Sequence, residues 1–391
     1  MDRIIDKSLS EMAGLRFSCS CGREHSVEIE RIIIGYDIDA QILDTVKAFK
    51  EGTILVVCDT NTKKVKGEAV IALLVNAGFQ TKSHSFSPEG HTLVPDEKAV
   101  GRLLIEIDSK IALIIAVGSG TINDLCRFVS SRTGIPYLIV GTAPSMDGYA
   151  STVSPLIVEG FKKTYEAHAP LAIIGDLNCM ANAPSHMVCA GFGDIMGKFT
   201  ALSDWALSAK INNEYYCEET VDLVNKAIGR CVENAEGIAV RDERAIQYLI
   251  EALILSGVAM GLVGNSRPAS GAEHHLAHFW EMDALKKKAD HPLHGNMVGV
   301  GTIVIASIYR LIDQKQPLGL ALPDPDMIRA LLAKVGSPVS PKALGVSREV
   351  FHESILHAKE IRPRYTVLHL AEKLGMLEEA ALKLTEEYYA D

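Results

Sequence analysis

A dense group of histidines lies in the stretch from residue 266 to residue 301. His274, His275 and His278 fall within five positions, and His294 follows after a charged connector. In a helix, His274 and His278 are i and i+4 and share a face, one turn apart. Imidazoles from two helices are a common beginning of a transition-metal site, but a catalytic metal usually takes a third protein ligand and keeps an open position. The alternative is a set of core or surface histidines without a metal; the density of histidines in these 21 positions favours the metal.

An acidic residue in an apolar segment is the candidate third ligand. Asp194 lies in GFGDIMGK, which has helical spacing, and Lys198 follows one turn later. A carboxylate buried among Phe, Ile and Met must be paired, because burying it alone is costly. One account is a structural ion pair with Lys198. The other is that Asp194 completes an Asp-His-His set, which leaves metal positions open for substrate oxygens.

A glycine turn after an apolar strand indicates a phosphate-binding loop. The strand IALIIAV ends at Gly118-Ser119-Gly120, and the helix TINDLCRFVSS follows. The free N–H groups and the dipole of a helix N-terminus favour a pyrophosphate at such a turn. A Gly-x-Gly sequence is also an ordinary strand-to-helix connection. The glycines alone therefore leave both readings open.

Two further strand ends carry polar residues that suit a nucleotide. Asp59 ends an earlier strand, where a carboxylate accepts hydrogen bonds from a ribose diol or caps the next helix. The loop GTAPSMDGYAS brings Asp147 and Ser151 to the same edge of the predicted sheet. They are either contacts to a cofactor or substrate or parts of a simple turn.

Length and pattern predict two domains. The chain has 391 residues, 48% of them hydrophobic and 23% charged, which is enough for a large core. Apolar strands alternate with helices through residue 176, which predicts an α/β nucleotide-binding domain (1–176) with a mostly parallel sheet. Residues 177–391 have helical spacing with few strand signals, which predicts an all-α domain that binds metal and substrate.

Charge and cysteine content restrict the partners and the compartment. The net charge is −10, and the only basic run is Lys286-Lys287-Lys288, so neither nucleic acid nor an anionic membrane is expected as a partner. The first 30 residues lack a signal-peptide core, and no apolar run is expected to reach the length of a membrane span. Eight cysteines, mostly in apolar segments, indicate reduced thiols in a cytoplasm.

A cysteine-rich segment near the N-terminus has a simpler interpretation than a metal site. Cys19, Cys21 and His25 in CSCGREH are similar to half of a zinc ribbon. The spacing is Cys-x-Cys rather than Cys-x-x-Cys, and no second pair of ligands follows nearby. A turn between two strands is therefore predicted.

Five motifs together carry a family resemblance. GSGTIND, APSMDGYAS, GFGDIMGK, SRPASGAEHHLAH and LHG, in this order and at these spacings, resemble the glycerol-1-phosphate dehydrogenases, in particular the bacterial, AraM-type branch. That family lies within the superfamily of dehydroquinate synthase, glycerol dehydrogenase and iron-containing alcohol dehydrogenases. The resemblance covers roughly residues 30–310 and is most specific at SRPASG-x-EH.

The resemblance implies a fold and an activity. It implies an α/β nucleotide-binding domain, a helical C-terminal domain and an active site in the cleft between them. It further implies NAD(P)-linked interconversion of dihydroxyacetone phosphate and sn-glycerol 1-phosphate, a reaction of phospholipid biosynthesis, in a homodimer. One divalent metal is expected; zinc, nickel and iron all accept an Asp-His-His set, with zinc or nickel preferred here.

The resemblance also implies roles for single residues. Asp194, His274 and His294 are similar to the family's metal ligands, and His278 and Asp147 to its substrate contacts. His275 occupies a position that the motif does not require. Residues similar to dinucleotide contacts are Asp59, Gly118, Ser119, Gly120, Thr121, Ile122, Thr142 and Ser151.

The chemistry of these residue types fits a dehydrogenase. Hydride delivery to a ketone places negative charge on the carbonyl oxygen, which a divalent metal stabilises as a Lewis acid. His278 is placed to bond a substrate hydroxyl or to relay a proton. Arg267 and Lys198 are the candidates for a substrate phosphate, with ion pairing to nearby carboxylates as the alternative for each. Asp59 favours NAD, whereas Lys63 and Lys64 could offset the extra phosphate of NADP.

Other function classes stay open on the sequence alone. A lyase similar to dehydroquinate synthase would use the same fold, NAD and metal but return the hydride within one turnover; the SRPASG sequence argues against it. A glycerol dehydrogenase would use the same site on an unphosphorylated substrate. A regulator would bind the cofactor without turnover, and it has little need of an open Asp-His-His site.

Overall fold

The protein is described by a computed structural model that covers residues 3–87 and 93–390. It divides into two compact units. The first comprises Met1–Ser18 and Glu24–Pro184, and the second comprises Cys19–Arg23 and Ser185–Asp391. The division into independent domains at residues 176 and 177 stays a prediction.

The first unit is built around a parallel sheet. Its described strands are β1 (Arg16–Ser18), β2 (Glu24–Ser26), β3 (Arg31–Gly35), β4 (Thr53–Asp59), β5 (Gln80–Phe86), β6 (Ile111–Gly118), β7 (Tyr137–Gly141), β8 (Val153–Val158), β9 (Phe161–Glu166) and β10 (Ala172–Asp176). Six of them form one sheet in the order β3-β10-β7-β6-β4-β5, and every neighbouring pair is parallel. The central strands β4, β6 and β7 are buried on both faces, which explains their continuous apolar sequences. Strands β1 with β2 and β8 with β9 form two separate antiparallel pairs.

Helices connect the strands of this sheet. They are α1 (Leu9–Met12), α2 (Asp39–Val46), α3 (Thr60–Thr62), α4 (Glu68–Asn76), α5 (Glu97–Ile105), α6 (Gly120–Thr133) and α7 (Leu177–Ala181). A π-helical turn at Lys63–Gly67 separates α3 from α4. The turn predicted around Cys21 is present between β1 and β2.

The regular secondary structure of the second unit, within its described residues, consists of helices. Its helices are α8 (Ser185–Asn212), α9 (Glu218–Glu233), α10 (Ala235–Val240), α11 (Glu243–Val263), α12 (Ala272–Lys287), α13 (His294–Lys315), α14 (Pro325–Val335), α15 (Arg348–His357), α16 (Val367–Lys373) and α17 (Leu377–Tyr389). The parallel sheet and this helical half confirm the predicted fold class.

Two core helices correct one expectation about membranes. α11 and α13 are long and apolar enough to cross a bilayer by length and composition, so the expectation that no apolar run approaches that length was wrong. However, 72% of the apolar window in α11 and 89% of that in α13 are buried inside the protein. Both are therefore core helices, whose apolar side chains pack inside the protein.

Glycines allow α8 and α13 to pack with their backbones in contact. A side chain at Gly193 would overlap the carbonyl oxygen of Gly295, and one at Gly295 would overlap that of Ala190. We call this the glycine contact. Gly193 directly precedes Asp194 and Gly295 directly follows His294. The close approach of the two helices therefore brings Asp194 and His294 to the same region.

The glycine contact yields a first prediction. Gly295→Ala should destabilise the protein by about 3 kcal/mol, at the upper end of the usual cost of overpacking, because the obstacle is backbone rather than a movable side chain. Metal retention should fall with it. Gly229→Ala is the control, since Gly229 lies within α9 with nothing near the added methyl group, and it should stabilise by roughly 0.5–1 kcal/mol. Urea unfolding and elemental analysis give both readouts; equal stability and metal content in the two variants would contradict the positioning role.

Candidate active site

Three helices bring the predicted ligands together in the second unit. Asp194 is on α8, His274 and His278 lie one turn apart on α12, and His294 is the first residue of α13. The ring centroids of His274 and His278 lie 5.2 Å and 5.3 Å from that of His294. His274 Nε2 is 3.9 Å from Asp194 Oδ1. With metal–ligand bonds of about 2.0–2.2 Å, two atoms at that separation can share one ion, so the donor set fits a metal.

A buried glutamate orients His274. Glu273 is fully buried and accepts hydrogen bonds from the Gly271 N–H at 2.6 Å and the Thr200 hydroxyl at 2.7 Å. Its Oε1 is 2.7 Å from His274 Nδ1. Burial holds the pKa of His274 well below its ordinary value, so the ring is neutral. A neutral ring that donates from Nδ1 presents the lone pair of Nε2 on the side of Asp194, which is the form that binds a metal.

Asp194 and Lys198 form the ion pair that was one of the two accounts of this residue. Lys198 Nζ is 2.6 Å from Asp194 Oδ1, and both side chains are fully buried. The pair satisfies the need of a buried carboxylate for a partner. It also places a cation next to the oxygen that faces His274. The ion pair and the ligand role of Asp194 are thus compatible in space.

His278 has two partners that sequence reasoning missed. Its Nδ1 is 3.4 Å from Glu281 Oε2, and its Nε2 is 3.4 Å from Arg362 Nη2. Donor atoms of His278, Glu281 and His294 lie within 4.8 Å of one another, so these three residues form a further possible donor set. Glu281 follows His278 at i+3, which sequence spacing could have revealed. Arg362 is 84 positions away and has no such local signal.

Arg267 is held by a carboxylate. It is 4% exposed, and its Nε donates to Glu214 Oε1 at 2.7 Å while Nη2 donates to the other oxygen of the same carboxylate. Its Nη1 donates to the carbonyl of Tyr365 at 2.9 Å. The alternative of ion pairing is therefore realised for Arg267, and its phosphate role stays a prediction.

His275 is buried without a polar contact. It is 0% exposed, and neither ring nitrogen has a hydrogen-bond partner within residues 3–87 and 93–390. Burial is the main cause that keeps its pKa well below the ordinary value. A neutral, fully enclosed ring is in keeping with a position that the motif does not require.

A buried aspartate sets the start of α12. Asp204 accepts hydrogen bonds from the Ala272 N–H at 2.7 Å, the Val367 N–H at 2.7 Å and the Tyr309 hydroxyl at 2.6 Å. It thereby caps the first turns of α12 and α16 at once, and burial raises its pKa to about 6. Because it lies in α8 with Asp194, it fixes α12 relative to the helix of the third predicted ligand. Nothing in the local sequence indicates this role.

The glycine loop of the first unit is tightly packed. A side chain at Gly118 would come within 2.7 Å of Ile122, so this glycine is needed for the contact of α6 with its own strand. At Gly120 the nearest atom to an added Cβ is 3.4 Å away, which is ordinary contact. The hydroxyl of Ser119, the N-cap residue of α6, bonds that of Ser145 at 2.5 Å and not the first N–H groups of the helix. The first turn of α6, which includes Thr121, therefore has its N–H groups directed beyond the strand end.

The other predicted nucleotide contacts lie at the same edge of the sheet. β4, β6 and β7 are neighbours and parallel, so Asp59, Gly118 and Thr142 meet there, and the Thr142 N–H donates to Gly118 O at 3.0 Å. Asp59 caps α3, because its Oδ1 accepts from the N–H groups of Asn61 and Thr62 at 2.8 Å. Ser151 bonds the backbone of Val153.

A buried arginine shapes the loop that carries Asp147. Arg127 is 0% exposed and donates to the carbonyl oxygens of Gly148 and Val153 and to the Tyr137 hydroxyl. Asp147 is half-buried directly before the residues so held. Sequence reasoning missed this arginine, since Tyr137, Gly148 and Val153 lie beyond its own helix.

Comparison with known proteins defines the class first. Residues 34–184 match the family of iron-containing alcohol dehydrogenases. The fold resembles that of glycerol dehydrogenase from Schizosaccharomyces pombe (TM-score 0.69, 16% identity, 92% of this chain and 91% of that chain). It also resembles maleylacetate reductase from Rhizobium sp. strain MTP-10005 (TM-score 0.70, 17% identity, 92% and 97%). These comparisons define the fold, which the chain shares with those dehydrogenases and reductases.

Sequence relatives define the family. A glycerol-1-phosphate dehydrogenase, NAD(P)+, from Geobacillus stearothermophilus is 33% identical over 96% of this chain and 100% of its own length. One from Bacillus licheniformis is 35% identical over 92% and 93%, and one from Methanosarcina acetivorans is 33% identical over 86% and 89%. The chain belongs to the glycerol-1-phosphate dehydrogenase family, which confirms the resemblance carried by its motifs.

The Asp204 network yields a second prediction. Asp204→Ala should destabilise the protein by at least about 3 kcal/mol, because three buried donors lose their acceptor and each costs roughly 1–3 kcal/mol. Tyr309→Phe removes only one of these bonds and should cost about 1 kcal/mol. Urea unfolding of both variants measures the difference. A cost for Asp204→Ala no greater than that for Tyr309→Phe would show that the aspartate does not hold the helix ends.

Proposed function

We propose that this protein interconverts dihydroxyacetone phosphate and sn-glycerol 1-phosphate with NAD or NADP. The observation that carries the proposal is the meeting of Asp194, His274 and His294 from three helices, with His278 and Arg362 beside them. The printed name of the full-length relatives supports the substrate. Eight free thiols and the negative net charge support a cytoplasmic enzyme, and we propose a homodimer on the family resemblance.

Asp194, His274 and His294 would hold one divalent metal, zinc or nickel. Their carboxylate oxygen and two imidazole nitrogens suit either ion. When bound, the metal polarises the substrate carbonyl as a Lewis acid. Glu273 keeps His274 in the ligand tautomer, and Lys198 offsets the charge of the buried Asp194.

His278 would bond the substrate hydroxyl or hold the transferred proton. Glu281 Oε2 faces its Nδ1, and Arg362 Nη2 faces its Nε2. Asp147 is proposed as a further substrate contact. Both roles place a proton acceptor or donor near the reacting carbon, as reduction of a ketone requires.

The first unit would bind the dinucleotide. The turn from Gly118 to Ile122 would receive the pyrophosphate, with Thr142 and Ser151 alongside. Asp59 uses Oδ1 for both of its capping bonds, which leaves the second carboxylate oxygen to face a ribose. Lys63 and Lys64 follow within the next helical turns, so both NAD and NADP are compatible with this edge.

Arg362 is our preferred phosphate ligand. Its described contact is with His278, and no carboxylate among the described residues pairs with it. Burial lowers the pKa of Arg362, and no acidic group in the described part of the chain opposes that effect. A half-buried arginine in that condition is stabilised by an anionic ligand. Arg267 already forms an ion pair with the carboxylate of Glu214, and Lys198 forms one with Asp194. Lys198 remains a second candidate, because it lies against a predicted metal ligand.

A direct assay tests the function and its metal dependence. Wild type should oxidise NADH or NADPH with dihydroxyacetone phosphate, and chiral analysis should identify sn-glycerol 1-phosphate. Chelation should abolish turnover, and zinc or nickel should restore it. Asp194→Asn, His274→Ala and His294→Ala should each lose the active-site metal, whereas His291→Ala, an exposed histidine three positions before His294, should retain it.

Elemental analysis and turnover with other substrates decide between outcomes. Full metal occupancy in one of the three variants removes that residue from the ligand set. Equal turnover of glycerol or dihydroxyacetone would place the protein with the glycerol dehydrogenases. Consumption of a substrate without net change in NADH would indicate a lyase.

Arg362→Ala should reduce kcat/KM for dihydroxyacetone phosphate selectively. A charge-assisted hydrogen bond contributes about 1.5–3 kcal/mol, which corresponds to roughly 10- to 150-fold. Activity on unphosphorylated dihydroxyacetone should be nearly unchanged. Arg310→Ala, an exposed arginine of α13, is the control and should leave both substrates unaffected. Equal losses for both substrates would contradict a phosphate contact by Arg362.

A further inference from the structure

The turn between β1 and β2 brings two cysteines to a third one far along the chain. Cys19 Sγ is 3.7 Å from the Sγ of Cys217. Donor atoms of Cys19, Cys21, His25 and Cys217 all lie within 4.8 Å of one another. Cys217 is the N-cap residue of α9 and is fully buried. The local spacing predicts only a turn, because the third cysteine is 196 positions beyond Cys21 (217 − 21).

The separations match a metal better than a disulfide. Four ligands around zinc, with Zn–S bonds of about 2.3 Å, place the sulfurs roughly 3.8 Å apart. A disulfide requires about 2.05 Å. A Cys₃His set also completes a tetrahedral shell, which is the composition of closed structural zinc sites rather than catalytic ones.

The backbone of the turn is suited to hold these ligands. The Cys19 N–H donates to the Arg23 carbonyl at 2.9 Å, and the Gly22 N–H donates to Cys19 O at 3.0 Å. Gly22 has φ +84°, a left-handed conformation in which glycine is not strained. His25 follows on β2 of the same hairpin, so its position relative to the two cysteines is set by a short covalent connection.

A helix N-terminus and two hydroxyl groups lie at the sulfurs. Cys217 lies at the positive end of the 16-residue helix α9, and the Thr220 hydroxyl donates to its sulfur at 3.2 Å. The Sγ of Cys21 is 3.1 Å from the Tyr215 hydroxyl, and Arg23 lies 3.4 Å from the centroid of the same ring. Three thiolates and a neutral imidazole around a divalent ion would carry a net charge of −1, which the helix N-terminus stabilises.

We propose that Cys19, Cys21, His25 and Cys217 bind a structural zinc ion. This site is separate from the Asp-His-His set in residues and in donor chemistry. It fixes the connector between α8 and α9, where Glu214 holds Arg267 and where Trp205 Nε1 donates to Tyr215 O at 2.7 Å. The ion supports the segment that precedes α12 and takes no part in the reaction.

Metal counting tests this proposal on the full chain. Wild type purified under reducing conditions in zinc should contain two metal ions per chain, and an organomercurial that blocks thiols should release one of them. Cys217→Ser should contain one ion. Cys231→Ser, a buried cysteine on the same helix outside the group, is the control and should contain two. If the mercurial releases no ion from wild type with all thiols reduced, or if Cys217→Ser retains as many ions as Cys231→Ser, the proposal is overturned. A single ion that the mercurial releases supports the cysteine site and contradicts the active-site metal instead.

Cobalt substitution separates this site from the proposed active site. Cobalt(II) bound to thiolates gives an intense near-ultraviolet absorption, which the Asp-His-His set cannot give. That absorption should be present in wild type and in Asp194→Asn, and absent in Cys21→Ser. If the cysteine variants are insoluble, the wild-type spectrum alone decides. A cobalt-loaded wild type without this absorption, or a Cys19–Cys217 disulfide found by mass spectrometry in freshly purified protein, overturns the site.

Discussion

The backbone contact between α8 and α13 is the constraint on which the second unit depends. At the glycine contact two helices approach until a single methyl group would collide with a carbonyl oxygen. Residues that flank such a contact have backbone atoms whose positions are closely fixed. Asp194 and His294 each adjoin one of its glycines, so the positions of two predicted ligands are set by backbone packing rather than by their own side-chain contacts. α12 then packs against the same pair, and a side chain at Gly301 of α13 would come within 2.7 Å of the Glu273 carbonyl.

Three acidic or basic groups buried around this region are matched by partners. Asp194 pairs with Lys198, and His274 is neutral and bonded to Glu273. Asp204 accepts hydrogen bonds from the N-termini of two helices and from a tyrosine hydroxyl. Single charges of this kind would cost several kcal/mol each in an apolar interior, and removal of one partner would leave that cost uncompensated. Asp194, His274 and Asp204 therefore depend on their partners for stability.

The two proposed metal sites differ in their donor chemistry. The proposed Asp-His-His set offers one carboxylate and two imidazoles, and three protein ligands would leave a metal position open for substrate oxygens, as a Lewis acid site requires. The Cys₃His group is complete in itself and rich in sulfur, which suits a structural ion. The connector between α8 and α9 links the two proposed sites along the chain. It begins after the helix of Asp194 and ends at Cys217, and it contains Glu214, the partner of Arg267.

Periodicity and local motifs by themselves determine much of this protein. Continuous apolar strands predict the parallel sheet, helical spacing predicts the second half, and i, i+4 spacing places His274 and His278 on one helix face. These features depend on contacts within a few residues, which a sequence displays directly. The motif order is also sufficient for the family, because each motif is a short segment at a strand end or a helix end.

The tertiary structure alone decides every partnership between distant positions. Arg362 reaches His278, Asp204 caps α12 and α16, and Arg267 is taken by Glu214, although none of these pairs shares a local pattern. The turn with Cys19 and Cys21 is the clearest case. The Cys-x-Cys spacing by itself does not predict a zinc site, and the proposed ligand group is complete once Cys217 is included. The physical reason is that the sequence specifies the chemistry of each side chain but not which distant side chains become neighbours. That proximity results from the packing of helices and strands, whose order in space differs from their order in the chain.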